Sequence, residues 1–383
     1  MSKTKKITNK VVIIIKKLNI KYEIIIPLIL FFIISIISIY SASFISSRQI
    51  ITKQITWYTI GFIIVLILSK INIKKIIDFS PFLYTFINIL LFLLLIFGTE
   101  VNGSKCWFVI PGIGSFQPSE FAKLILILTN AKIFHWYDKK YPKRTLKDDL
   151  RLILIIVLIT LIPSLLTFLE PDTGMVIIYF LISFIMLFSF GIKRSILIPI
   201  IVSIVILIAS FLYFYFNFEN DFINIFGTSF FYRIDRLLDW SNNSGMQLTN
   251  AIVAIKSSYI FGFGIGNTPI YIPEAHTDFI FSVYASNFGL IGSILLILII
   301  CIFDYGLLNM AHKTNDKIHQ FIIIGFLAMI LYQQIQNIAM NIGLLPITGI
   351  TLPFISYGGS SLISYMLGIG IILNYGNSKK KMI

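Results

Sequence analysis

The stretch from Pro273 to Phe281 contains three ionisable residues at alternating positions and is well suited to proton-transfer chemistry. Glu274, His276 and Asp278 are separated by single residues and precede an apolar run. A carboxylate at such a boundary between water and a membrane is partly desolvated, which raises its pKa and makes it a better general base. The alternative is that these residues form only the polar edge of a helix.

A second pattern is the pair Glu120 and Lys123, at the start of an apolar run that follows a loop containing Lys105 and Trp107. Ser119 before the pair fits a helix N-cap, and Glu120 would interact favourably with the helix dipole, so capping is one explanation. Capping does not explain Lys123, one turn inside the helix. An ionisable pair at i and i+3 within a membrane indicates a functional site.

Two further motifs interrupt the apolar runs. The sequence Glu-Pro-Asp-Thr-Gly at 170–174 reads as an ordinary polar turn. Residues 343–361 are rich in Gly and Pro and include Ser356 and Ser360. Broken helices are tolerated at membrane depth only where protein or a water-filled cavity satisfies the backbone. Such a helix start could bind an anion through its N–H groups, or the segment could be a tight re-entrant turn.

Membrane-spanning helices must position these residues. Of 383 residues, 57% are hydrophobic and 13% are charged, whereas soluble domains carry about 25% charged residues. A bilayer core of about 30 Å takes roughly 20 apolar residues per helix. The predicted fold is an all-α polytopic integral membrane protein with about ten transmembrane helices, at Tyr22–Tyr40, Ile55–Ser69, Pro81–Gly98, Ser119–Tyr137, Arg151–Leu169, Gly174–Gly191, Ser195–Phe216, Phe279–Tyr305, Ile318–Gly343 and Ser360–Tyr375.

The distribution of positive charge orients these spans. Of the 31 Lys and Arg residues, 23 fall on the side of the N-terminus, 6 fall on the other side, and Lys123 and Lys132 fall within a span. Cytoplasmic segments of membrane proteins carry the excess of Lys and Arg, so both termini are predicted to be cytoplasmic. Topology therefore explains the net charge of +14, and no nucleic-acid partner is expected.

The predicted organisation is one transmembrane domain, residues 22–375, between a basic cytoplasmic tail, residues 1–21, and a cytoplasmic tail, residues 376–383. The one long loop, residues 217–278 between helices 7 and 8, is predicted to be extracytoplasmic. Long loops tend to be functional or disordered, and the apolar residues of this one favour an ordered element lying partly in the membrane. The active face is therefore predicted to be the outer one.

Four motifs, in this order along the chain, resemble those of one family. They are Gln-Pro-Ser-Glu-x-x-Lys at 117–123, Pro-Asp-x-Gly at 171–174, Pro-Glu-Ala-His-Thr-Asp-Phe-Ile-Phe at 273–281, and Leu-Pro-x-Thr-Gly-x-x-Leu-Pro-Phe-Ile-Ser-Tyr-Gly-Gly-Ser-Ser at 345–361. The match extends from about residue 41 to residue 375. The chain thus resembles the FtsW/RodA/SpoVE (shape, elongation, division and sporulation) family of peptidoglycan glycosyltransferases.

The resemblance implies a reaction and a set of site residues. The reaction is polymerisation of the peptidoglycan glycan strand from lipid II on the outer face of the membrane, in cell division or cell-shape maintenance. The family's catalytic aspartate falls on Asp278. The residues predicted to bind substrate are Lys105, Trp107, Glu120, Lys123, Arg233, Arg236, Glu274, His276, Ser356 and Ser360.

The resemblance also implies partners and a location. The expected partners are lipid II, a class B penicillin-binding transpeptidase and membrane lipids, and the location is the bacterial cytoplasmic (inner) membrane. A divalent cation, Mg²⁺ or Mn²⁺, is compatible with stabilising a pyrophosphate leaving group, but the sequence names no ligands for it. Zinc is not expected, because His276 is the one histidine predicted on the outer face.

Two other functions stay open, and three departures from the family pattern bear on one of them. Cys106 stands where the family usually has Arg, Ser286 and Asn287 stand where it has paired acids, and the loop between Gly264 and Pro273 is shorter. These departures leave room for a non-catalytic scaffold of the transpeptidase. Polar groups within the membrane, namely Lys123, Gln333 and Asn337, would also suit a lipid II flippase.

Overall fold

The computed structural model describes residues 22–44, 49–101, 104–110, 114–228, 230, 231, 234 and 246–374. Both predicted cytoplasmic tails lie outside these residues, as do Arg233 and Arg236. The elements are α1 Tyr22–Ser43, α2 Gln49–Leu68, α3 Ile73–Phe97, β1 Thr99–Val101, β2 Ser104–Ile110, β3 Gly114–Phe116, α4 Pro118–Lys140, α5 Leu146–Leu169, α6 Thr173–Phe190, α7 Arg194–Asn217, α8 Glu219–Phe226, α9 Met246–Ser257, α10 Ile280–Lys313, α11 Lys317–Asn341 and α12 Gly359–Leu373.

Each of the ten predicted spans falls on one of these helices. Within the described residues, eight helices are long and apolar enough to cross a membrane, namely α1, α2, α3, α5, α6, α7, α10 and α11. The other two predicted spans correspond to α12, which is apolar but has only 15 residues, and to α4, which carries several polar residues. The prediction of an all-α polytopic membrane protein is confirmed.

Helices α4, α6, α11 and α12 form the centre of the bundle. Helix α4 packs against α3, α6, α11 and α12, while α12 also packs along α2. Because these helices are surrounded by protein, they can bury polar groups in pairs, such as Asn130, whose amide donates a 3.0 Å hydrogen bond to the hydroxyl of Ser183. Helix α7 is the opposite case, with exposed apolar side chains along most of its length.

Helix ends follow capping signals in the sequence. Thr145 and Asp148 form a reciprocal capping box at the start of α5, and Asp172 caps α6 by accepting a 3.2 Å hydrogen bond from the N–H of Met175. Gly191 ends α6 with φ 81°, a left-handed conformation that glycine adopts without steric cost. These caps fix the ends of α5 and α6, where charged residues gather.

The segment before α4 corrects the prediction of a loop, because it contains a small antiparallel sheet in the order β1-β2-β3. The central strand, β2, lies against residues 170–172. The thiol of Cys106 donates to the carbonyl of Glu170 at 3.3 Å, and the hydroxyl of Ser104 donates to the carbonyl of Pro171 at 3.4 Å. The sheet therefore positions the turn between α5 and α6.

Helix α10 is interrupted at Gly289, which has φ 62° and ψ −158°. At this break the chain approaches residues 259–264 so closely that a Cβ on Gly289 would lie 2.5 Å from the backbone nitrogen of Gly262. Ser286 and Asn287, two of the departures from the family pattern, are buried just before the break. The break separates the first turns of α10, which follow Asp278, from its spanning part.

The segment between α11 and α12 enters the bundle without regular structure, as the Gly and Pro residues in it predict. Side chains of α1, α2 and α11 satisfy its carbonyl groups, as such a segment requires inside a membrane. The bonds are Ser35 to Ile355 (2.8 Å), Gln54 to Ser356 (3.3 Å), Tyr58 to Phe354, Gln336 to Pro346 (2.8 Å) and Asn337 to Ile350 (2.8 Å).

Candidate active site

Asp278 lies half-buried just before α10, in a loop whose backbone is held from several directions. The hydroxyl of Ser356 donates to the carbonyl of Thr277 at 2.7 Å, and the N–H of Tyr357 donates to the carbonyl of His276 at 2.8 Å. The Asp278 carboxylate faces the backbone of Gly349, where a Cβ would lie 3.8 Å from Oδ2. Gly349 has φ 69°, so this close approach uses a position that favours glycine.

The electrostatic surroundings of Asp278 suit a general base. Burial raises the pKa of its carboxyl to about 7, with smaller contributions from the negative charges of Glu274 and Asp172. A base is most effective when its pKa lies near the working pH. Burial lowers the pKa of His276, which keeps the imidazole neutral.

The Glu120–Lys123 pair is buried one turn into α4, with the side chains 3% and 0% exposed. Lys123 Nζ lies 2.7 Å from Glu120 Oε2, an ion pair in which the two atoms do not align as a hydrogen bond. The ammonium also lies 5.4 Å from the centre of the Tyr365 ring, a cation–π distance. Ser364 fixes the helix start by donating to the carbonyl of Glu120 at 2.7 Å.

Asp172 connects this pair to Asp278, a role that the sequence analysis missed by treating 170–174 as an ordinary turn. Its Oδ2 accepts a 3.2 Å hydrogen bond from Gln117, the residue before α4. The pKa of Asp172 is raised to about 6, chiefly by burial and less by the charge of Glu120, while Met175, Lys123 and Gln117 oppose the rise. Asp172 thus interacts electrostatically with Glu120 and Lys123 and also with Asp278.

Glu170 is a second acid in the same turn, and it is completely buried. Burial, with help from the charge of Asp172, raises the pKa of Glu170 to about 9, so that the carboxyl is protonated at neutral pH. Neither carboxyl oxygen has a hydrogen-bond partner in the described part of the chain. The Cys106 thiol beside it is also buried. Burial raises the pKa of this thiol, the negative charges of Asp172 and Glu170 raise it to a smaller extent, and the thiol therefore stays neutral.

Three further residues predicted to bind substrate, Glu274, Ser356 and Ser360, differ in exposure and in hydrogen bonding. Glu274 is exposed, and its carboxylate accepts a 3.1 Å hydrogen bond from Thr277. Ser356 and Ser360 use their hydroxyls within the protein, Ser360 by accepting from the N–H of Gln117 at 3.0 Å. Their roles, like those of the other site residues, stay predictions.

Lys105 and Trp107 lie on β2, the first exposed and the second half-buried. The strand contacts the turn at 170–172 and also packs against α4, the helix of Glu120 and Lys123. Within the described residues, no three His, Cys, Asp or Glu side chains are arranged to hold a metal ion. Mg²⁺ or Mn²⁺ stays a prediction.

Comparisons with known proteins agree with this arrangement. The family model described as "Cell cycle protein", FtsW/RodA/SpoVE, matches residues 21–381. The probable peptidoglycan glycosyltransferase FtsW of Bacillus subtilis is 34% identical over 301 residues, covering 75% of this chain and 72% of that protein. Stage V sporulation protein E of the same organism is 30% identical over 371 residues, covering 89% and 92%.

Solved structures show the same fold. One chain of a peptidoglycan synthase complex, described as coordinating polymerization and crosslinking, has a TM-score of 0.76 and 25% identity, with 93% of this chain and 97% of that chain covered. The rod shape determining protein RodA of Thermus thermophilus has a TM-score of 0.66 and 24% identity, with coverages of 92% and 95%. With its four motifs gathered at one end of such a bundle, the chain belongs to the FtsW/RodA/SpoVE family.

Proposed function

We propose that this protein is a peptidoglycan glycosyltransferase that polymerises glycan strands from lipid II on the outer face of the cytoplasmic membrane. The observation that carries the proposal is Asp278, a half-buried carboxyl with a pKa raised to about 7, held at the end of the bundle where all four family motifs meet. Relatives named as probable peptidoglycan glycosyltransferases support the same activity.

In the proposed reaction, Asp278 acts as the general base. Its carboxylate removes the proton from the 4-hydroxyl of the acceptor GlcNAc, and the oxygen attacks the anomeric carbon of the lipid-linked donor. A new glycosidic bond forms with inversion, the bond to pyrophosphate breaks, and undecaprenyl pyrophosphate leaves with the electron pair. General-base catalysis contributes about 10²–10⁴-fold, so positioning and stabilisation of the leaving group must supply the rest.

The network of Glu120, Lys123 and Asp172 shapes the field around this base. Lys123 is fully buried against Glu120, so a direct contact with a substrate phosphate requires its ammonium to leave that pair. In the described structure its positive charge acts through Asp172, whose pKa it lowers. Arg233 and Arg236, outside the described residues, are the other cations proposed for the leaving group.

The flippase alternative rests on Lys123, Gln333 and Asn337, and each of them makes at least one contact within the protein. Gln333 donates to the hydroxyl of Tyr365 at 2.9 Å, and Asn337 donates to two backbone carbonyls. Because the amides of Gln333 and Asn337 donate hydrogen bonds to groups of the protein itself, they supply little support for a polar transport path. The scaffold alternative rests on Cys106, Ser286 and Asn287, whose contacts are with Glu170, Phe263 and Thr268, respectively.

The proposed setting is a bacterial inner membrane with both termini cytoplasmic and residues 217–278 outside, together with a class B transpeptidase. The excess of Lys and Arg on one side supports this orientation. Cysteine labelling from outside the cell can test it in a variant lacking Cys106 and Cys301. A cysteine at Tyr271 should be labelled and one at Lys143 should not. The reverse pattern would contradict the topology.

The activity is tested with the purified protein and purified lipid II, with and without its transpeptidase. The expected result is formation of glycan chains and release of undecaprenyl pyrophosphate. Reconstituted vesicles carrying lipid II in one leaflet provide the comparison. Movement of lipid II between leaflets without chain formation would support the flippase, and neither activity in either assay would support the scaffold.

A further inference from the structure

Two asparagines on α11 converge on the main chain of Asp278. The side-chain amide of Asn337 donates to the carbonyl of Asp278 at 2.8 Å, and that of Asn341 donates to the same carbonyl at 3.0 Å. A carbonyl oxygen has two lone pairs, so these two bonds occupy both. The two asparagines lie one helical turn apart, which places both amides on one face of α11.

Each asparagine also connects Asp278 to a second element. The other N–H of Asn337 donates to the carbonyl of Ile350, in the segment whose Gly349 faces the Asp278 carboxylate. The amide oxygen of Asn341 accepts hydrogen bonds from the backbone N–H, at 3.1 Å, and from the hydroxyl of Ser282, in the first turn of α10. Asn337 thus links the segment that contains Asp278 to the segment that contains Ile350. Asn341 fixes the start of α10, the helix that follows Asp278.

Both asparagines are completely buried within an otherwise largely apolar helix. Asparagine is a weak helix former, and burying its amide is unfavourable unless every hydrogen bond is made. Neither side chain contributes apolar packing of its own. What the two residues do provide is a fixed backbone position for Asp278 relative to Gly349 and α10.

We infer that Asn337 and Asn341 are positioning residues that hold Asp278 for the glycosyl-transfer reaction. The inference rests on the proposed function of Asp278 as the general base. It predicts that removing either amide displaces the carboxylate without removing any group that touches the substrate. A displacement of about 1 Å from the reactive geometry can cost about 10²-fold in rate.

The test compares Asn337→Leu with Gln336→Leu in lipid II polymerisation. Gln336 is a matched control, because it lies on the same helix and donates a 2.8 Å hydrogen bond to the carbonyl of Pro346 in the same segment, but does not contact Asp278. Asn337→Leu should lower kcat by about 10²-fold with little change in KM, whereas Gln336→Leu should keep kcat close to the wild-type value. Thermal melting of both variants measures any loss of folding.

The pH dependence of kcat separates positioning from a general structural role. The charges of Glu274 and Asp172, which raise the pKa of Asp278, are unchanged in the variants, as are His276, Tyr357 and the Glu120–Lys123 pair. A displaced Asp278 carboxyl is better hydrated, which lowers its pKa, so the fall in kcat at low pH should move to lower pH in Asn337→Leu. A merely destabilised protein would lose amplitude at every pH and keep the wild-type midpoint.

Asn341→Ala provides a milder variant, because Asn337 still donates to the Asp278 carbonyl. It should lower kcat less than Asn337→Leu and move the midpoint in the same direction. Equal kcat in Asn337→Leu and Gln336→Leu, with wild-type midpoints in both, would overturn the positioning role while Asp278→Asn remains inactive. Full activity of Asp278→Asn would instead overturn the proposed base and, with it, this inference.

Discussion

Charged residues gather at both ends of α5 and α6, and the two clusters use them differently. At one end, here called the Arg144 cluster, Arg144, Thr145, Asp148, Asp149 and Lys193 cap α5 and tie it to the junction of α6 and α7. Arg144 donates to the carbonyl of Gly191 at 3.3 Å and lies 3.8 Å from Asp149, which accepts a 3.2 Å bond from the N–H of Lys193.

At the other end, the Asp278 cluster contains Glu120, Lys123, Glu170, Asp172 and Asp278. The pKa values of Glu170, Asp172 and Asp278 are raised to about 9, 6 and 7, respectively. The carboxyl oxygens of Glu170 have no hydrogen-bond partner within the described residues. Acids that only stabilise a fold are normally paired, whereas perturbed acids gather at functional sites. The comparison therefore predicts a structural role for the Arg144 cluster and a chemical role for the Asp278 cluster.

The largest expected effect is that of Asp278→Asn against Asp149→Asn. Asparagine keeps the size of the side chain but cannot accept the proton, so Asp278→Asn should lower turnover by about 10²–10⁴-fold with unchanged melting. Asp149→Asn should lower the melting temperature and leave turnover unchanged, because Asp149 is buried in the Arg144 cluster. Chain formation from lipid II and thermal melting measure the two effects.

Glu274→Gln is the control for a substitute base in the same loop. An active Asp278→Asn with an inactive Glu274→Gln would move the base to Glu274.

The next effect separates stability from activity at the Glu120–Lys123 pair. Breaking a buried ion pair leaves one charge uncompensated and costs about 3–5 kcal/mol, so Glu120→Gln and Lys123→Met should each destabilise the protein. The double variant should recover much of that stability, because no unpaired charge remains. Its polymerisation activity should stay low if the pair serves catalysis. Recovery of both stability and activity in the double variant would place the pair with the structural cluster.

A smaller effect concerns pH. With a pKa of about 7, Asp278 becomes protonated as the pH falls through neutrality, so kcat should fall below about pH 7. Asp172→Asn removes a negative charge that raises this pKa, and the midpoint should move to lower pH. Asparagine caps a helix as well as aspartate does, so the start of α6 should be preserved. An unchanged midpoint in a measured pH–rate profile would remove Asp172 from the environment of the base.

The smallest expected effect lies in the Arg144 cluster. Thr145→Ala removes the hydroxyl that accepts a hydrogen bond from the N–H of Asp148, and loss of such an N-cap costs about 1 kcal/mol. Melting should therefore shift slightly, while lipid II polymerisation per folded molecule should stay at the wild-type level. A marked loss of turnover in this variant would show that the two clusters are coupled through α5 or α6.

Local hydropathy located the spans but not all of their ends. The second predicted span begins at Ile55, whereas α2 begins at Gln49. The polar residues of its first turns include Lys53 and Gln54, which lower the hydropathy there. Gln54 is nevertheless buried, because it donates to Ser35 and to the carbonyl of Ser356. The second of these partners, Ser356, lies 302 residues away in the sequence, and no window of local sequence contains that information.

The sequence by itself determined where the long apolar helices lie, the family and the candidacy of Asp278, because apolar length and contiguous motifs are local properties. Only the tertiary structure decided that Asn337 and Gly349 lie against Asp278 and that the charge of Asp172 acts on its carboxyl. Only the tertiary structure decided, likewise, that β1, β2 and β3 form a sheet whose central strand contacts the turn at 170–172. Those contacts join residues from separate helices and segments. They depend on how the helices pack, since a polar residue in an apolar helix has no identifiable partner until another element is brought within hydrogen-bond distance.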